Sequence, residues 1–232
     1  MPPRILDPRS VPVSGTDSHL PPLPASRLTA VALRERFLRG FAGEPEFPGD
    51  GGGPLSSRRE PTQAAVLLPL VQRDDGLHVL LTLRADHLRD HAGQISFPGG
   101  RSEPTDADAV ATALRETEEE VGLARSQVQV IGCLPKYTTV TSYVVTPVVA
   151  IVQSSPALSL DAFEVAEAFE VPLQFLMTPA NHQRHVFEFD GGQRQFLSMP
   201  WQGMAADGSP RDYFIWGATA AMLRNLYGFL AR

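Results

Sequence analysis

The chain has 232 residues, with 20 Lys and Arg against 26 Asp and Glu, a formal net charge of −6 at pH 7, and a single cysteine. This length can bury a substantial core and fits one domain with an appended arm. The acidic balance argues against non-specific nucleic-acid binding, so an anionic substrate has to be held by local arginines and metal, and the lone Cys133 excludes an intramolecular disulfide or a multi-cysteine metal site.

The first fifteen residues contain no apolar signal core. The apolar runs near 64–71 and 144–152 are too short to span a bilayer and each contains a proline, so a soluble, cytoplasmic protein is expected. Residues 1–25 are rich in Pro and Ser with little periodicity, which predicts an extended arm that wraps its own domain or a second subunit and leaves a homodimer open. Thr29 can cap a helix over about 30–39, with Val31, Leu33, Phe37 and Leu38 as its apolar members and Gly40 as its stop. Gly, Pro and polar residues from 42 to 61 predict a mobile linker. The expected division is therefore arm, short helix and linker at 1–61 and a compact domain at 62–232.

In that domain two strand-like runs, AAVLLPLV and LHVLLTL, are joined by Arg73-Asp74-Asp75-Gly76, a strong hairpin signal. A helix at 107–121 follows, then strands at about 128–137 and 143–152. Cys133 lies in the first of these and reads as a small buried hydrophobe. A short helix is expected around 164–169, ending at Val171-Pro172. VFEF and RQFLSM form a hairpin about Asp190-Gly191-Gly192. The last helix, from about 217 to 231, puts Ala220, Leu223, Leu226, Tyr227 and Leu230 on its inner side. Strands dispersed among helices predict an α/β fold.

The stretch FPGGRSEPTDADAVATALRETEEEVGL, from Phe97 to Leu123, organises the rest. Asp106 and Asp108 are both acceptable N-cap residues for its helix, and Gly122 suits the position just past the end. At ~100° per residue, Val110, Ala113, Leu114, Thr117 and Val121 fall on one stripe suited to packing. Glu116, Glu119 and Glu120 stand at i, i+3 and i+4, sharing an arc away from the stripe, while Glu118 points elsewhere. Such an acidic run is either a solvated face or a site. Three carboxylates this close repel each other and a phosphate, and as a site they make chemical sense with a divalent metal among them, since Mg²⁺ joins carboxylates to substrate phosphates.

Gly99-Gly100, a loop, then Arg115-Glu116-x-x-Glu119-Glu120-x-Gly122 closely resembles the signature of the Nudix hydrolases. Asp106 stands where Glu is usual ahead of the helix, and the spacing from Gly-Gly to Arg115 is one residue longer than the commonest form. The resemblance implies a mixed β-sheet sandwiched between helices and metal-dependent diphosphate hydrolysis. It also implies Mg²⁺ or Mn²⁺ held by Glu116, Glu119 and Glu120, helped by the Gly99 carbonyl, with Arg115 orienting the carboxylates through ion pairs. By its offset ahead of Glu170-Val171-Pro172-Leu173, Glu164 resembles the downstream acidic residue that many members use as ligand or base. It reads equally as a Glu at a helix N-terminus, favouring the macrodipole.

The preceding segment, LLTLRADHLRDHAGQISFPGG, is similar to the coenzyme A diphosphatase branch of that family. Similarity continues through TTVTSYVVTPVV, EVAEAFEVPL and IWGATA, and the longer spacing is typical of the branch, although Ala85 replaces a common Ser. The resemblance implies hydrolysis of coenzyme A or its thioesters to 3′,5′-ADP and 4′-phosphopantetheine or its acyl form. Arg84, Arg89 and His91 carry donors suited to phosphate, and each also reads as a solvated loop residue. Gln94 bonds either a pantetheine amide or its own loop. His182, a lone histidine, is set aside as structural. Two alternatives stay open: a diphosphatase for ADP-ribose, dinucleotides or nucleoside triphosphates, and a non-catalytic nucleotide-binding sensor of the same fold.

Overall fold

Two long strands rich in Leu and Val, β2 (Thr62–Arg73) and β3 (Gly76–Arg84), form the central hairpin, turned at Asp74-Asp75 with Gly76 at φ 135°. The computed structural model describes residues 5–40, 43–50, 61–88, 91–153 and 156–232. In β2, alternate residues face opposite sides of the sheet, as the pleat requires. Ala65, Leu67 and Val71 enter one apolar cluster, Ala64, Leu68 and Leu70 the other. A strand buried on both faces reads as a continuous apolar run, which is what the sequence shows.

The hairpin belongs to an eight-stranded mixed sheet with β4 (Ile95–Ser96), β5 (Gly99–Arg101), β6 (Val128–Cys133), β7 (Tyr137–Thr138), β8 (Tyr143–Val152) and β9 (Val165–Pro172). β8 runs parallel to β2 along the whole of its own length, from Thr62 opposite Tyr143 to Val71 opposite Val152. One face of this sheet carries α2 (Ala109–Val121), whose Ala113 and Val121 are fully buried against Leu67, Leu80 and Val148. The other face packs on Leu33 of α1 (Ala30–Leu38), Leu173 of α3 (Leu173–Leu176) and Leu223 and Leu226 of α4 (Gly217–Ala231). The mixed sheet between helices is therefore as expected. Beside it a four-stranded antiparallel sheet is formed by β1 (Val13–Thr16), β10 (Gln183–Phe189), β11 (Gly192–Met204) and β12 (Pro210–Trp216). Among the described residues no helix is long and apolar enough to cross a membrane.

Several expectations are corrected. Residues 165–172 form strand β9, not a helix; Val165, Glu167, Phe169 and Val171 are buried in alternation and the strand pairs with β3. Its Ala and Glu content favours helix, and cross-strand pairing overrides that preference. The arm is not merely extended: β1 pairs with β10, and the buried Asp17 carboxylate accepts from Arg184 and Arg224. Residues 43–50 are docked: Glu46 pairs with Arg184 and Arg224, and Asp50 accepts from the Val140 N–H and Arg194. The remaining linker residues, 41–42 and 51–60, lie outside the described set. Cys133, at the end of β6, is exposed and not buried. β12 lies where no strand was expected.

His182 shows a cost inside this packing. Its ring is wholly buried, Nε2 donates to the Leu176 carbonyl at 2.7 Å, and Nδ1 has no partner among the described residues. Burial pushes its pKa down to about 4. Below about 6.5 the unfolded chain takes up a proton that the native chain refuses, so stability is full above that pH and falls as pH drops toward 4, by on the order of 3 kcal/mol. Urea midpoints measured from pH 7 to 4 should show this loss, and His182→Gln should flatten it.

Candidate active site

Helix α2 is fixed at both ends by its own sequence. The Asp108 carboxylate accepts from the Ala111 N–H at 2.8 Å, and Gly122, at φ 68°, ends the helix while its N–H donates to the Glu118 carbonyl. With the Ala113 and Val121 stripe seated on the sheet, Glu116 and Glu120 are turned toward Gly99-Gly100. The two glycines are required for different reasons. Gly99, at φ 149°, donates its N–H to Glu120 Oε2 at 3.1 Å, and a Cβ there would collide with the Ala65 carbonyl and lie 2.5 Å from Val66 Cα. A Cβ on Gly100 would sit 2.5 Å from Glu116 Oε2, so glycine leaves the space before that carboxylate open.

Arg115 gathers the acids beside it. Its Nε and Nη2 donate to the two oxygens of Asp106 at 3.0 and 2.9 Å, and Nη1 donates to Glu116 Oε1 at 2.9 Å and to Glu119 Oε2 at 3.0 Å. Nη2 also reaches the Arg101 carbonyl. Asp106, in turn, accepts from the Glu103 N–H and the Thr112 hydroxyl, and Arg115 above all holds its carboxyl well below the usual range. Asp108 is thus the cap, and Asp106 is the partner of Arg115, a role the sequence reading missed. The signal was its place ahead of the helix, where family members carry another acid.

Glu120 is only 5% exposed. Burial, reinforced by the neighbouring charges of Glu164 and Glu116, pushes its carboxyl up to about 7, against the opposing Gly99 hydrogen bond and Arg84. Glu116 is raised in the same way, by burial first and then by Glu119 and Glu164. Glu164 reaches these two because the segment before β9 runs along the end of α2: the Ser159 N–H donates to the Val121 carbonyl and the Asp161 N–H to the Glu120 carbonyl, both at 2.9 Å. It lies in the turn before β9, not at a helix N-terminus.

Among the described residues no three acidic, histidine or cysteine side chains converge into a ready-made cation cage. Arg115 draws Glu116 and Glu119 one way, and Gly99 with Arg84 draws Glu120 another. The donor set nonetheless fits a hard divalent cation: carboxylate oxygens, partly desolvated, whose mutual repulsion a cation would relieve.

Arg84 Nη1 is 3.8 Å from Glu120 Oε1, and its buried Nε has no hydrogen-bond partner among the described residues. His91 Nδ1 and Gln94 Oε1 are 2.8 Å apart and hold each other across their loop, with His91 at φ 59°. Arg89 lies outside the described residues. His182 sits by Leu176 and Tyr227, on the far face of the sheet from α2.

The raised pKa of Glu120 has a measurable sign. Between its ordinary 4.5 and about 7 the native state keeps a proton that the unfolded chain has lost, so stability falls as pH rises through that window. Without metal at pH 8, Glu120→Gln should therefore be more stable than the parent by on the order of 1–3 kcal/mol, with the difference shrinking toward pH 5. Chelator-treated samples in a denaturant titration give the comparison.

The family model described as NUDIX domain matches residues 61–188. A protein of Escherichia coli (strain K12), described as uncharacterized Nudix hydrolase NudL, is 45% identical over 166 residues, covering 71% of this chain and 80% of that one. The protein of the same description from Shigella flexneri is 44% identical over 175 residues, covering 75% and 83%. Among solved structures, an Ap4A hydrolase binary complex from C. elegans superposes with a TM-score of 0.43 at 19% identity, over 50% of this chain and 85% of that one. The chain belongs to the Nudix family and is a Nudix diphosphatase.

Proposed function

We propose that this diphosphatase cleaves coenzyme A or its thioesters, releasing 3′,5′-ADP and 4′-phosphopantetheine or its acyl form, and that residues 62–232 form the catalytic domain to which 1–61 is an arm. What supports coenzyme A is the resemblance of the segment before Phe97 to the coenzyme A branch, and what supports a diphosphate site there is Arg84. It stands in the segment that resembles the coenzyme A branch, beside Glu120, with a buried Nε that has no partner among the described residues. A guanidinium held near carboxylates yet left partly unbonded is suited to a phosphate that bridges to the same acids.

Glu116, Glu119 and Glu120, with the Gly99 carbonyl, would hold Mg²⁺ or Mn²⁺, which supplies charge neutralisation for the diphosphate and acidifies water. Arg115 keeps the carboxylates oriented without touching substrate. Glu164 accepts the proton of the attacking water. Water adds across the P–O–P linkage, one phosphate leaving on the adenosine half and the other on the pantetheine half. Arg84 binds the diphosphate oxygens, while His91 and Gln94 on the following loop, and Arg89 by its place in the sequence, are the candidate readers of the 3′-phosphate and the pantetheine amides.

Glu120→Gln keeps the shape and removes a charge, so turnover should fall at least ~100-fold, in the range for lost transition-state electrostatics. Near-normal activity of this variant at limiting Mg²⁺ would reject the metal assignment.

A panel of coenzyme A, dephospho-coenzyme A and ADP-ribose with product identification tests the substrate. Coenzyme A should exceed dephospho-coenzyme A roughly 10- to 150-fold in kcat/KM, the value of a charged hydrogen bond to the 3′-phosphate. Arg84→Ala should lower both alike and preserve their ratio. ADP-ribose cleaved better than either would overturn the coenzyme A reading.

A further inference from the structure

Beside the acidic cluster one large apolar ring stands in water: Phe163 is 67% exposed. It is no loose surface residue. Its N–H donates to the Asp161 carboxylate at 2.9 Å, and the Asp161 carbonyl accepts from the Glu164 and Val165 N–H groups, so the turn that presents the ring is braced. The ring of His87 lies against it, with centroids 4.9 Å apart and planes at 59°. His87 comes three residues after Arg84, and the Ala85 N–H donates to the Glu164 carbonyl at 3.0 Å, tying the two chain segments together. The pair therefore flanks the residues assigned above to the diphosphate and to the attacking water: Arg84 on one segment, Glu164 on the other.

We propose that Phe163, backed by His87, is the stacking platform for the nucleobase of the substrate. His87 packs against the ring at a tilt, and the ring remains mostly exposed to solvent. A braced aromatic face selects another flat π-system, because base stacking needs area and fixed orientation and no hydrogen-bond code. A flexible pantetheine chain gains less from such a face, since it must be ordered to lie on it. The proposal rests on the acidic cluster being a nucleotide-diphosphate site, and it assigns Phe163 to specificity, not to chemistry.

The test uses AMP and ribose 5-phosphate, which share a phosphate and differ in the base, with 4′-phosphopantetheine as a third probe, all by calorimetry on the full chain with Mg²⁺ present. The parent protein should bind AMP more tightly than ribose 5-phosphate. Phe163→Ala should weaken AMP about 5- to 150-fold, the value of one stacked base, and leave ribose 5-phosphate and 4′-phosphopantetheine unchanged. Phe163→Trp should retain AMP binding. With whichever adenine dinucleotide the parent cleaves, Phe163→Ala should raise KM and spare kcat. Absence of an AMP preference in the parent, an unchanged preference in Phe163→Ala, or a loss confined to 4′-phosphopantetheine would overturn it. Failure of the parent to cleave coenzyme A refutes the substrate reading alone, because the AMP comparison does not depend on it.

Discussion

The guanidinium of Arg115 holds together charges that would otherwise push one another apart. Asp106, Glu116 and Glu119 all bond to it. Without that cation the loop before α2 and the helix itself would carry uncompensated, partly desolvated carboxylates, a costly arrangement. Glu120 is the one acid of the group that Arg115 does not reach. It is left to a backbone N–H and a distant arginine, and its raised pKa measures how incomplete that compensation is. The site is thus neutralised unevenly: the outer acids are satisfied by Arg115, and the innermost has the least compensation.

The hydrophobic seat of α2 lets the helix bear this load. Ala113 and Val121 are small or branched side chains that bring the helix close to β2 and β8, and that closeness places Glu116 over Gly100. Elsewhere charge is used for docking. Asp17, wholly buried, accepts from Arg184 of β10 and Arg224 of α4, and Glu46 completes the network with both arginines. Two stretches that precede the family-matched region are tied by these pairs to the C-terminal half of the chain. Removing one partner of such a buried pair leaves the other uncompensated, which is why the network reads as a unit.

Much of this was legible in the sequence because local rules sufficed. Thr29 as a cap, the turn at Asp74-Asp75, the α2 stripe, Gly122 past the helix end and the inner side of α4 all follow from short-range geometry, and the structure has each of them. What was not legible depended on partners far away in the chain. β9 is a strand because β3 lies beside it. Residues 43–50 are fixed by Arg184, Arg194 and Arg224, more than a hundred positions distant. Asp106 looked like a cap because Asp108 was an equal competitor, and only the reach of Arg115 separates the two roles. Cys133 sits in an apolar run, yet at the end of β6, which closes the main strand order at its edge, and there it is exposed.

Gly122 stops α2, but a side chain there would also strike the segment that crosses the helix end, with Ser159 atoms 2.8 and 2.9 Å from the missing Cβ. That segment is stitched to the last turn through Val121 and Glu120 carbonyls before it delivers Glu164. The helix end and the crossing segment are therefore joined both by backbone hydrogen bonds and by close contact. Glu164 is held from the other side as well, by the Ala85 N–H on its carbonyl, and Glu120 by the Gly99 N–H, so helix end, crossing segment and sheet jointly set the spacing of the two acids.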